Sequence, residues 1–162
     1  REKLIYLENP NIQPDLEGKD YIVERQLKPE ARKDIIESLK ELKIKPTAMI
    51  DVSDGLASDI LHICKQSNKG CNLYEEKIPL DPMTFDTARA FGIDPTTCAL
   101  NGGEDYELLF TITQTDYDKI KHSADISIIG HITDAASGCH LISKSGNVHP
   151  LKAQGWNAFK EN

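Results

Sequence analysis

No stretch of this chain is apolar over anything near the twenty residues that a membrane-spanning helix needs, and its first residues do not read as a secretory leader, so none is expected. Basic charge is in short supply: 19 Lys and Arg stand against 26 Asp and Glu, a formal charge of -7. That balance argues against nucleic-acid binding as the main function. It also makes a bare phosphate ligand awkward unless cations mediate. The four cysteines, Cys64, Cys71, Cys98 and Cys139, form no Cys-x-x-Cys pair and no zinc-ligand spacing with histidine. Their even number allows disulfides, yet nothing else marks secretion. Reduced, mostly buried thiols in a cytoplasmic protein are expected. Neither a Gly-x-x-x-x-Gly-Lys-Ser/Thr phosphate loop nor a Gly-x-Ser-x-Gly elbow occurs.

What remains is enough for a folded unit. The 162 residues make one ordinary domain or at most one and a half, with 39% apolar and 28% charged residues. A chain of that size buries a core without staples. It opens at Arg1, and residues 1–28 read as a polar tail with Pro10, Pro14 and Tyr21-Ile22-Val23, so a fragment of a longer enzyme is expected.

Pro29 begins a helical pattern carried by Ile35, Ile36, Leu39 and Leu42 and ended at Pro46. The near-continuous run 48–52 predicts a buried strand, and Leu56, Ile60 and Ile63 predict a helix to about Gln66. A strand over 72–78, helices over 84–91 and 95–100, and an alternating strand over 106–112 follow. A helix from Thr115 or Asp116 to about Lys121 and strands over 126–132 and 139–143 complete the pattern. This mix predicts an α/β (α+β) domain over 29–162, a two-layer sandwich of a mixed sheet with helices on one face.

Asp51-Val52-Ser53-Asp54-Gly55 is the first candidate for chemistry. Two carboxylates and a hydroxyl stand where a strand turns into a helix, the place where open α/β sheets bind ligands. Asp51 and Asp54 are close enough in sequence to hold one or two Mg²⁺ ions, and the helix start offers N–H groups to phosphate. The competing account is that Ser53 or Asp54 only caps the helix. Asp51 speaks against it, because a carboxylate ending an apolar strand is costly unless paired or metal-bound. Gly102-Gly103-Glu104-Asp105-Tyr106-Glu107 is the second candidate. The glycines permit close backbone approach, and alternation would put Glu104 with Tyr106 on one face and Asp105 with Glu107 on the other. From the residues alone, a glycine hairpin with a solvated acidic rim is the preferred account. Trp156, the only tryptophan, either stacks on a flat ligand or pins the tail. His62 with Asp59 one turn before it reads as a solvated helix face.

Together these segments resemble one family. Met49-Ile50-Asp51-Val52-Ser53-Asp54-Gly55-Leu56, followed by Asp59-Ile60 and His62-Ile63, is similar to the C-terminal-domain signature of thiamine-monophosphate kinases. Gly102 to Thr111 resembles the second signature, and Arg1 to Lys3 and Pro29 to Arg32 resemble the lead-in. The family belongs to the superfamily of aminoimidazole ribonucleotide synthetase. The resemblance implies ATP γ-phosphoryl transfer to thiamine monophosphate, giving thiamine diphosphate, assisted by Mg²⁺. It implies metal binding at Asp51 and Asp54, ATP phosphate contact at Ser53, and substrate contact at Glu104 and Trp156. Gly55, Gly102, Gly103 and Asp105 would support these. It also implies an N-terminal domain, absent here, that dimerises the whole enzyme and carries much of the ATP and metal site. Residues 1–28 would then be the segment leading in from it. Two alternatives stay open: another ATP-dependent superfamily member, acting in purine synthesis, selenium activation or hydrogenase maturation, or a non-catalytic assembly domain.

Overall fold

The computed structural model describes residue 18 and residues 20–153. The first element is a helix that the sequence reading did not expect, α1 (Asp20–Leu27), with Asp20 in its first turn and Arg25 in its last, as the helix dipole favours. It packs against α4 (Pro82–Ala90). The next helix, α2 (Lys33–Glu41), starts later than Pro29 suggested. Arg32 is non-helical at its N-cap, where its guanidinium is held by Asp34 at 2.9 Å and by Glu107. Ile35 and Leu39 are the residues that α2 buries.

β1 (Ala48–Asp51) alternates half-buried and exposed positions, so it is not the fully buried strand the apolar run predicted. It pairs antiparallel with β3 (Leu108–Thr111), Asp51 lying opposite Leu108. α3 (Leu56–Ser67) matches its prediction and ends in a left-handed Asn68. That tight C-cap lets β2 (Lys69–Tyr74) begin at once, three residues before the predicted start, and the expected strand end over 75–77 is a 3₁₀ turn instead. Asp81 caps α4, accepting from the Met83 N–H at 2.8 Å, with Pro82 at the first helical position. Asp94 caps α5 (Pro95–Asn101) through the Thr97 N–H at 2.8 Å. The short α6 (Tyr117–Ile120) follows a 3₁₀ turn at Gln114–Asp116.

β4 (Gly130–Asp134), β2, β5 (Cys139–Ile142) and β6 (Val148–Pro150) form a four-stranded sheet in the order β4-β2-β5-β6. β2 and β5 run parallel and the other pairs antiparallel, so the expected mixed sheet is present. β1 and β3 stand apart as a two-stranded ribbon. β4 begins later than predicted because Ile126 and Ile128 are used otherwise: they pack onto the cluster of Ile35, Leu39, Ile44 and Ile120. The larger core joins Val52, Leu56, Ile60 and Ile63 to Cys71, Leu73 and Leu109. α3 touches both the ribbon and the sheet, so the loop entering α3 is anchored from two sides. Among the described residues no helix is long and apolar enough to cross a membrane.

Candidate active site

The start of α3 is not capped by Ser53 or Asp54. The N-cap is Gly55, at φ 108°, and no side chain bonds to the helix start there. Ser53 and Asp54 are therefore not spent on capping. The N–H groups of Ser53 and Asp54 both donate to one oxygen of Asp59, at 3.0 and 3.2 Å, rather than standing open to a phosphate. Asp59 is 1% exposed. It is not part of a solvated helix face: it folds back from the first turns of α3 and fixes the loop ahead of them. Burial lifts its carboxyl above the usual carboxylate range, and the two N–H groups pull the other way.

The same loop is clamped by the second motif. The Ser53 carbonyl accepts from the Glu104 N–H and the Val52 carbonyl from the Tyr106 N–H, each at 2.9 Å, while the Val52 N–H donates to the Glu107 carbonyl at 2.8 Å. Regular alternation fails between Glu104 and Glu107 because Glu104 and Tyr106 take left-handed backbone, φ 67° and 53°. The strand consequently begins at Leu108, and the predicted sorting of Glu104 with Tyr106 onto one strand face does not arise. The acidic segment is not a free hairpin rim, since its backbone is bonded to the Asp51–Gly55 loop.

Two glycines make this contact possible. A Cβ on Gly103 would lie 2.6 Å from the Ser53 carbonyl oxygen, and one on Gly55 would lie 3.0 Å from the Leu100 carbonyl oxygen. Gly102 is crowded likewise, 2.6 Å from the Cys98 carbonyl oxygen. Because the atom facing Gly103 is backbone, Gly103→Ala must displace the Ser53–Asp54 loop. We expect a stability loss of about 1–3 kcal/mol by thermal unfolding; an unchanged midpoint would show that the clamp is slack.

Asp51, Asp54, Glu104 and Asp105 are exposed, Ser53 is half-buried and Gly55 is buried. Asp51 thus meets water at the end of β1 and does not bear the burial cost assumed from the apolar run. Asp54, Asp59 and His62 bring one ligand atom each within 4.8 Å of one another, two carboxylates and an imidazole with the donor chemistry to hold a divalent cation. Trp156 lies outside the described residues. Beside the clamp opens a groove of about 1390 Å³, lined in part by Arg25, Arg32, Lys77, Gly103 and Glu104. Glu107 ion-pairs with both Arg25 and Arg32 at its edge.

Asp59 and the arginine pair were missed by the sequence reading. Asp59 could have been found: Leu56, Asp59, Ile60 and Ile63 stand at i, i+3, i+4 and i+7, so the carboxylate occupies an apolar-face position. The pairing of Arg25 and Arg32 with Glu107 joins residues 82 and 75 positions apart and left no local signal.

No family model matches the chain. It is 33% identical to the thiamine-monophosphate kinase of Buchnera aphidicola from Acyrthosiphon pisum, over 98% of this chain and 47% of that protein. It is 37% identical to the thiamine-monophosphate kinase of the Schizaphis graminum strain, over 86% of this chain and 43% of that protein. Among solved structures, AaThiL complexed with AMPPCP and TMP superposes with a TM-score of 0.73 at 28% identity, covering 97% of this chain and 46% of that one. A hydrogenase maturation protein HypE in complex with ATP, at 16% identity and a TM-score of 0.60, shares the fold. The chain spans about half the length of the curated relatives it matches. On sequence and on fold together, the chain belongs to the thiamine-monophosphate kinase family and corresponds to the C-terminal domain of its members.

Proposed function

We propose that this chain supplies the acidic half of a phosphoryl-transfer site, in an enzyme that moves the γ-phosphoryl group of ATP to thiamine monophosphate and yields thiamine diphosphate. One observation carries the reading: the Ser53 carbonyl to Glu104 N–H bond, which ties the carboxylate loop to the acidic substrate segment. Donor and acceptor are both anions, so the reaction asks chiefly for positioning and charge neutralisation. Mg²⁺, held by Asp54 and Asp51 with Asp59 and His62 adjacent to Asp54, would supply that neutralisation when bound. Asp59 orients the Ser53–Asp54 backbone, and Ser53 offers its hydroxyl to an ATP phosphate. Glu104 faces the cationic thiamine portion, and Trp156 stacks on it. The acceptor phosphate is already ionised near neutral pH, so no strong general base is needed. The kinase relatives and the complex with AMPPCP and TMP support both the donor and the acceptor.

The remaining catalytic groups belong to an N-terminal domain, for which residues 1–28 would be the lead-in, and the whole enzyme would be a homodimer in the cytoplasm. The four free thiols suit that reducing compartment. The test is direct. The full-length protein, given thiamine monophosphate, ATP and Mg²⁺, should form thiamine diphosphate, and chelation should stop it. This chain alone should not turn over. Turnover of ATP with a different acceptor, and none with thiamine monophosphate, would move the protein to another branch of the superfamily.

A further inference from the structure

Three of the four cysteines converge well away from the Asp51–Gly55 loop. Cys64 lies near the end of α3, about 12 Å along the helix axis from Leu56 at 1.5 Å per residue. Cys71 on β2 and Cys139 on β5 are partners across parallel strands. The three Sγ atoms all lie within 4.8 Å of one another. Cys64 and Cys71 are 2% and 1% exposed, and Cys139 is half-buried. Their surroundings are apolar, with Ile60, Ile63 and Leu73 in the same cluster. Among the described residues no histidine or carboxylate joins the group.

The spacing suits a single thiophilic centre. Three sulfurs each bonded at about 2.3 Å to one atom stand at most about 4.0 Å from one another, so side-chain rotations that close the gap by about 1 Å are needed. Charge then selects the ligand. Three thiolates around a divalent ion leave a net negative charge in an apolar interior with nothing to offset it, and a monovalent ion leaves more. A trivalent centre leaves none. We propose that Cys64, Cys71 and Cys139 form a binding site for a trivalent thiophilic metalloid of the arsenite type. Three S–H and three As–O bonds break, three As–S bonds form, and each thiol proton leaves with a hydroxide as water. No electron is transferred. Burial pushes the Cys64 thiol up to about 11 and Cys71 higher still, which withholds the thiolate from alkylating agents and oxidants. Arsenous acid carries its own proton acceptors, and Cys139 is the one member of the cluster that is not fully buried.

The experiment is titration of the reduced chain with arsenite, followed by native mass measurement and alkylation. One arsenic per chain is expected, with loss of three thiol hydrogens and with Cys98 still alkylated. Cys98→Ser should bind unchanged, whereas Cys139→Ala should bind at least about tenfold more weakly. Cys139 is half-buried, so its variant should keep the far-UV spectrum of the parent even where Cys71→Ala does not fold. Failure to retain arsenic, an adduct that has lost only two thiol hydrogens, or undiminished binding by a folded Cys139→Ala chain would overturn the site.

Discussion

Asp54→Ala, made in the full-length enzyme, is expected to lower kcat by about a thousandfold or more while leaving the fold intact. The two halves of that expectation have separate grounds. Asp54 is exposed and its side chain caps nothing, so removing it should change stability by no more than about 0.5 kcal/mol. Its carboxylate, however, stands with Asp59 and His62 where a divalent cation would sit. Between two anionic phosphates such a cation acts chiefly in the transition state, and a thousandfold corresponds to about 4 kcal/mol. Residual turnover should need more Mg²⁺, and the thiamine monophosphate requirement should move less than the metal requirement. Asp51→Ala should behave alike if both aspartates share the ions. Full activity with the Mg²⁺ dependence unaltered would remove the metal role from this loop.

How far such a site can be read beforehand depends on whether its signals are local. The order strand, Asp-x-Ser-Asp-Gly, helix is local, because the apolar period of α3 and the glycine before it are written within a dozen residues. So is the glycine pair that starts the second motif. The clamp between them is not. That Glu104 donates to the Ser53 carbonyl joins positions about fifty apart, and only the closure of the β1–β3 ribbon brings them together. The late start of β4 has a tertiary cause. Ile126 and Ile128 have strand-forming side chains but are drawn to a second core under α2, and tertiary packing overrides their local preference. α1 was missed because its Tyr21-Ile22-Val23 run is poor in helix formers, and its place is set by docking on α4.

Asp59 offers the sharper separation of scaffold from chemistry. Asp59→Ala removes the acceptor of two backbone N–H groups and empties a site that is 1% exposed. An orphaned buried donor costs about 1–3 kcal/mol. Ser53 is half-buried, which lets water satisfy part of the debt, so a total near 2–3 kcal/mol is expected. For a chain of this size that lowers the unfolding midpoint by about 5–10 °C. Asp59→Asn keeps one acceptor oxygen and should recover much of this loss, though not the charge beside Asp54. In the full-length enzyme it should therefore raise the Mg²⁺ requirement by about ten- to a hundredfold, the usual scale for a group supporting a metal ligand. The pH dependence runs in a fixed direction. The folded chain holds the Asp59 proton more tightly than the unfolded chain, so the contribution of Asp59 is fullest below about pH 4 and declines as the pH climbs through its raised folded value. The stability gap between the parent and Asp59→Asn should narrow or invert over that rise. An Asp59→Ala chain as stable as the parent would mean the two N–H groups find other acceptors. An Asp59→Asn enzyme with an unchanged Mg²⁺ requirement would confine Asp59 to holding the loop.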